Sequence, residues 1–185
     1  GVGTEWVNKT TGQIYICTDA TAGENTWTNV GAGSGDVAPW SFGGTQYGYS
    51  YGGTSNSNIN QWSLTSDGNA TDVGDQSVQR QSYSASSSAT YGYCHGGAGP
   101  SNVIERYSHT SDGNASDWAD LFAGRAAASN GCNSLTHGYL AGGLNTNTIQ
   151  KYPFASQSTG TDVGDMIATF NQSGATSSTT HGYII

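Results

Sequence analysis

A short word recurs along this chain at nearly constant spacing. It reads Tyr47-Gly-Tyr-Ser-Tyr-Gly-Gly53, then Tyr91-Gly-Tyr-Cys-His-Gly-Gly97, then His137-Gly-Tyr-Leu-Ala-Gly-Gly143, and it starts again at His181-Gly-Tyr-Ile-Ile185. The first glycines, Gly48, Gly92, Gly138 and Gly182, are 44, 46 and 44 residues apart. Behind each complete copy come Ile59-Asn-Gln-Trp62, Ile104-Glu-Arg-Tyr107 and Ile149-Gln-Lys-Tyr152, with the isoleucines 45 residues apart. Next come Asp72-Val-Gly-Asp75, Asp117-Trp-Ala-Asp120 and Asp162-Val-Gly-Asp165, at the same interval of 45. Arg80, Arg125 and Phe170 each follow five residues after the second aspartate. A repeat of this length is one supersecondary unit, which buries its apolar face only by stacking on its neighbours.

Each unit divides into four strand-like segments. In the second unit these are the Ser/Ala run Ser82–Thr90, then Tyr91–Gly97, then Asn102–His109 with Val103, Ile104 and Tyr107, and a segment around Asp117–Phe122. β-Branched and aromatic residues favour strands, and Gly99-Pro100 and Ser111-Asp-Gly-Asn114 are turn signals between them. No segment holds a 3.6-residue period, so helix is not expected. The 185 residues are rich in Gly, Ser, Thr and Asn, yet 11% are aromatic, which separates this composition from disorder. Four short strands at a period near 45 match the blade of a β-propeller. Trp40-Ser-Phe-Gly-Gly44 would be the inner strand of the first blade.

The order of these residues resembles the kelch motif: a double glycine, an aromatic residue about ten positions on, a hydrophobic segment, then Arg before a small-residue strand. The second unit fits best, with Gly96-Gly97, Tyr107, Trp118 and Arg125. The other units depart, with Val73 and Val163 at the Trp position and Phe170 at the Arg position. The resemblance covers roughly residues 40–185. It implies an all-β fold of four-stranded propeller blades, about three plus a partial fourth. Propellers have four to eight blades. The expectation is therefore that the natural polypeptide continues beyond Ile185, or that other copies supply the missing blades.

Residues 1–37 lack the repeat. Glu5-Trp6-Val7 and Gln13–Cys17 are strand-like around Asn8–Gly12, a hairpin signal, and a third strand carries Trp27 and Val30. The run from Gly3-Thr-Glu-Trp to Trp27-Thr-Asn-Val-Gly31 resembles the small β module of phage tail-fibre and other virion appendage proteins. That resemblance implies attachment or oligomerisation, with a trimer as one form. Gly31-Ala-Gly-Ser-Gly-Asp36 reads as a flexible joint. The expected organisation is thus a β module over 1–37 and kelch-like blades over 38–185.

The formal net charge is −8, and the five basic residues Lys9, Arg80, Arg106, Arg125 and Lys151 are scattered, which argues against nucleic acid as a partner. Apolar runs are far shorter than the ~20 residues of a membrane helix. Cys17, Cys94 and Cys132 have no metal-ligand spacing and read as small buried hydrophobes, with a Cys94–Cys132 bridge left open. His137 and His181 stand where other copies have Tyr, which suits structure better than acid–base chemistry. The recurring aspartates suit Asx-type turns between the third and fourth strands better than a calcium cage. Neither a nucleophile elbow nor a phosphate loop is present. The sequence therefore predicts no enzyme, no cofactor and no metal. The turns after the double glycines differ between units and are rich in Asn. Asn56, Asn58, Asn102, Asn145 and Asn147 are the candidate ligand-binding residues, because loops on a rigid scaffold carry recognition. The expected role is a virion appendage that binds a host-surface glycan or protein and contacts other virion proteins. The alternative is a secreted or cell-surface propeller lectin.

Overall fold

The computed structural model describes residues 1–30, 46–97, 99, 101–125, 130–143, 145–170, 174–178 and 180–185. The expected joint, the module boundary at 37/38 and the inner strand expected at 40–44 lie outside these residues. Two compact units are present, Gly1–Phe42 and Gly43–Ile185. The described residues form sixteen strands and no helix.

The first unit is a three-stranded antiparallel sheet of β1 (Glu5–Val7), β2 (Ile14–Asp19) and β3 (Thr26–Asn29), in that order. The expected hairpin forms because Asn8 Oδ1 accepts from the Thr10 amide at 3.0 Å and the Gly12 amide donates to the Asn8 carbonyl at 2.7 Å. Trp6 stands opposite Tyr15 in register, and their rings are 5.3 Å apart.

The second unit is a series of antiparallel meanders. The first sheet holds β4 (Tyr47–Gly53), β5 (Asn56–Ser63) and β6 (Thr71–Asp75). The second holds β7 (Tyr83–Ser87), β8 (Tyr91–Gly96), β9 (Ser101–Ser108) and β10 (Ser116–Arg125). The third holds β11 (Asn130–Asn133), β12 (His137–Ala141), β13 (Thr148–Pro153) and β14 (Thr161–Asp165). A two-stranded sheet of β15 (Ala175–Ser177) and β16 (Gly182–Ile184) follows.

The recurring word has a steric cause. Gly48 is paired across the ladder with Trp62, Gly92 with Tyr107 and Gly138 with Tyr152. In each pair the aromatic ring lies over the glycine, and a Cβ there would overlap the ring. Glycine therefore lets a large ring lie flat across the neighbouring strand, the arrangement known to rescue glycine in sheets.

Two of these rings, Tyr107 and Tyr152, form seams between successive sheets. The first seam buries Tyr51 and Ile59 against Cys94 and Tyr107. The second buries Tyr93, Ile104 and Leu121 against Leu140 and Tyr152. Adjacent residues Tyr93 and Cys94 serve different seams, as the two-residue period of a strand requires. The Tyr152 hydroxyl meets Ser86 Oγ of the preceding sheet at 2.5 Å. Cys17, Cys94 and Cys132 are all free thiols, so the Cys94–Cys132 bridge does not form.

The aspartates differ in place from expectation. They lie within or beside the fourth strand, where Asp72 Oδ1 accepts from Gly74 N at 3.2 Å and Asp162 Oδ1 from Gly164 N at 3.0 Å. The register shifts beside them, at Ile59/Asn60 and Ile149/Gln150. These are β-bulges that use an Asx bond. The second sheet has the same shift, between Asp117 and Ala119, with Trp118 as the extra residue, and Arg106 fills the space between the Tyr91 and Trp118 rings, 4.4 and 3.5 Å from their centroids.

Replacing Gly92 by Ala forces a methyl group into the Tyr107 ring. The expected loss of stability is about 1–3 kcal/mol, as for other overpacked sites. A methyl group on Gly68 would meet no atom within 4 Å, so Gly68→Ala is the control. Urea unfolding of both variants checks this; equal midpoints would contradict the steric account.

Candidate recognition surface

The turns from the second to the third strand of each sheet follow the double glycines and share one end of their sheets. Gly96 and Gly97 have φ of +74° and +141°, and Gly142 and Gly143 have +73° and +109°. Only glycine takes these values without strain, so the word both seats the ring and turns the chain.

The second and third sheets are each anchored to the one before by buried polar groups. Glu105 is fully buried and forms an ion pair with Arg80 at 2.6 Å. It also accepts from the Ser77 amide at 3.0 Å and from the Ser77 hydroxyl. The Arg80 guanidinium donates to the Gly96 carbonyl at 3.2 Å and packs against Gly97. Gln150 stands 45 residues after Glu105 and is equally buried. Its side-chain amide donates to the Ala123 carbonyl at 3.1 Å and accepts from the Ala123 amide at 2.9 Å. Two further backbone bonds repeat at the same interval, Ala115 N to Asp75 O at 2.8 Å and Gly160 N to Asp120 O at 2.7 Å.

Beside the first of these turns is a shallow polar cavity of about 210 Å³, lined by Gly53, Thr54, Gln79, Arg80 and Gln81. Gln79 Nε2 donates to the Thr54 carbonyl at 2.9 Å and holds the turn over the cavity. Its lining is polar, with the side-chain amides of Gln79 and Gln81 and the Thr54 hydroxyl, while the Arg80 guanidinium is buried against Glu105 and the Gly96 carbonyl.

The candidate asparagines do not converge on one point. Asn56 Oδ1 accepts from the Asn58 amide at 2.7 Å, and Asn58 Nδ2 donates to Asp72. Asn147 Nδ2 donates to the Met166 carbonyl at 3.1 Å. These three side chains serve the turns themselves. Asn102 is exposed on β9, and Asn145 is exposed at a turn with φ of +61°. Thr54, Gln79 and Gln81 were not singled out by sequence reasoning. The signal for them is indirect, since Gln79 and Gln81 flank an arginine that recurs with the repeat.

The second sheet also buries a Ser–His pair. His95 is fully buried, and its Nδ1 lies 2.8 Å from Ser84 Oγ. Burial, with the Arg80 charge adding to it, pushes the His95 pKa down to about 3. Burial pushes the neighbouring Cys94 thiol up to about 12. Both groups are therefore neutral at pH 7, and neither is poised for acid–base or nucleophilic work. His137 and His181 repeat one contact, Nδ1 to the hydroxyls of Thr136 and Thr180 at 2.9 and 2.8 Å.

Arg80→Ala leaves Glu105 buried without its partner, an arrangement that costs about 3–5 kcal/mol. Chemical denaturation should show that loss, and a change below about 1 kcal/mol would contradict it. His95 also makes stability depend on pH. Below the ordinary histidine range of about 6.5 the unfolded chain takes a proton that the folded chain refuses until about pH 3. The contribution of His95 is complete above about pH 6.5 and is lost as pH falls through that window. In His95→Gln the stability profile between about pH 6.5 and 4 should be flatter than in the parent chain; parallel profiles would contradict this. No family model matches the chain, and no curated protein is significantly similar to it.

Proposed function

We propose that this chain is a segment of a virion appendage of tail-fibre or spike type. In this reading kelch-like β-propeller blades present their turns to a glycan or protein on a host surface. Two serially packed four-stranded meanders at a 45-residue interval support the blade reading. The observation that carries the appendage reading is the first unit. It is compact in its own right, and its first two strands meet through the Trp6–Tyr15 pair and the Asn8–Gly12 turn, on which the likeness to appendage modules rests.

Oligomer formation and contact with other virion proteins are assigned to that unit. Val7 and Ile14 are cross-strand partners, and the Val30 amide bonds to the Ile14 carbonyl, so all three share a face. They are 49%, 38% and 55% exposed. A contiguous apolar strip on so small a sheet is suited to burial against copies of itself. The cavity beside Thr54 is suited to sugar hydroxyls. A secreted or cell-surface lectin would use the same cavity, so the two readings differ in location rather than in recognition chemistry.

Immunogold labelling of intact particles from the source sample, with an antibody to residues 1–185, tests the reading. Gold on projections of virus particles is the expected result. Gold confined to cells or free protein would replace the appendage by the lectin. A glycan array read with the parent chain and with Gln81→Ala tests the cavity separately. A hit weakened at least tenfold by the substitution is expected, whereas a hit that Gln81→Ala leaves unchanged would remove the cavity from the proposal.

A further inference from the structure

Two arginines recur with the repeat, and they are paired differently. Arg80 and Arg125 stand 45 residues apart, as do Glu105 and Gln150. Arg80 is 8% exposed and Arg125 9%, so both are withdrawn from water. Between the first and second sheets Glu105 meets the Arg80 charge, and Arg80 Nη1 also donates to the carbonyls of Gly96 and Val103 at 3.2 and 3.4 Å. Between the second and third sheets a neutral amide holds the place of Glu105, and the Ala123 backbone takes both ends of that amide. Arg125 donates one long bond, from Nη1 to the Gly124 carbonyl at 3.4 Å, and its Nε is buried with no partner among the described residues. Among those residues Arg80 with Glu105 is the one ion pair, and Asp162, which stands opposite Gln150 on β14, acts on Arg125 only from farther away. Burial lowers the Arg125 pKa, and the Asp162 charge opposes that fall. Arginine is seldom withdrawn from water unless an anion accompanies it, because desolvating an unpaired charge is costly. Arg125 also closes β10 opposite Ser101, the first residue of β9, so it lies at the turn end of the second sheet. A Cβ on Gly96 would stand 3.2 Å from the Arg125 carbonyl, so the glycine turn rests directly on this residue.

We propose that Arg125 anchors a carboxylate-binding site at the turn end of the second sheet, where the carboxylate of a ligand takes the part that Glu105 plays for Arg80. The ligand is a small carboxylate, borne by an acidic sugar such as a uronate or by a simple carboxylic acid. The planar guanidinium donates parallel N–H bonds to both oxygens of one carboxylate, a fit that a neutral hydroxyl does not reproduce. A neutral sugar therefore gains nothing at this point. The carboxylate supplies the charge that Gln150 withholds, and the Ala123 backbone keeps its own bonds to Gln150. This inference rests on the comparison of the two arginines and is independent of the virion reading and of the cavity beside Thr54.

The test uses the full 185-residue chain, whose arginines are Arg80, Arg106 and Arg125, so that their Nε–H signals in a nitrogen–proton correlation spectrum report separately. Sodium glucuronate, sodium acetate and glucose are titrated in turn, with ionic strength held constant by sodium chloride. The Arg125 signal should move saturably with glucuronate while the Arg106 signal stays in place, and glucose should move neither. Glucuronate binding about tenfold or more tighter than acetate would identify the acidic sugar as the source, and equal binding would identify a simple carboxylate. By calorimetry, Gln150→Glu should weaken glucuronate binding about tenfold or more, because it supplies an internal carboxylate, and Arg125→Gln should abolish it. If either variant fails to fold, the Arg125 signal of the parent chain decides the matter. An Arg125 signal that no carboxylate moves, or that chloride moves equally, would overturn the proposal. Glucuronate binding that survives in folded Arg125→Gln would overturn it as well.

Discussion

The second unit depends on one constraint, a ring laid flat over a glycine on the neighbouring strand. The Tyr107 and Tyr152 rings cross the ladder and reach the sheet before them, so in each case a single cross-strand pair also builds a seam between sheets. Full burial of an aromatic side chain stabilises by about 1.5–3 kcal/mol. Ring–ring contacts such as Tyr51 to Tyr107, at 4.9 Å and nearly perpendicular, add about 0.5–1.5 kcal/mol. The apolar residues are few, so these rings are repeated rather than pooled in one large core. The double glycine that ends the same word turns the chain back, and the third strand then returns with the next ring in register.

Polar groups complete each seam. A buried polar group left without a partner costs about 1–3 kcal/mol, and here Glu105 bonds the Ser77 amide while Gln150 bonds the Ala123 amide and carbonyl. Glu105 and Gln150 remove that cost from equivalent positions. The carboxylate needs Arg80 beside it, while the amide matches the Ala123 backbone by itself. The candidate recognition turns are thus held from beneath by the groups that hold the sheets together. This gives the turns a rigid base, and it explains why several of their asparagines are engaged internally.

Strand content and order were legible in the sequence, because the interval of 45 residues brings the same residue types back with little drift. Observed strands such as β8 (Tyr91–Gly96) and β9 (Ser101–Ser108) fall within a residue or so of the segments expected at Tyr91–Gly97 and Asn102–His109. The contacts that run between units were not legible. Glu105 sits beside Arg106 as one of two charged residues on a strand, and nothing local shows that an arginine 25 positions earlier meets it. Asp72 and Asp162 form Asx bonds, as their residue type suggests, but within the fourth strand rather than in the turn before it. A bulge within a strand and a turn between strands favour the same residues. For the asparagines the sequence showed composition and place, while the hydrogen bonds that engage Asn58 and Asn147 depend on residues 14 and 19 positions away.

Near-identical repeats carry a hazard, because any one of them can dock on the wrong neighbour while the chain folds. The two complete seams differ in chemistry at the same point, a charged pair in one and a neutral amide in the other. Docking the third sheet where the second belongs would set Gln150 against Arg80 and bury a guanidinium without its carboxylate. The mismatch makes the wrong order costly. The Glu105–Arg80 pair thus acts as an address label, which records in the language of charge where in the series the second sheet must sit.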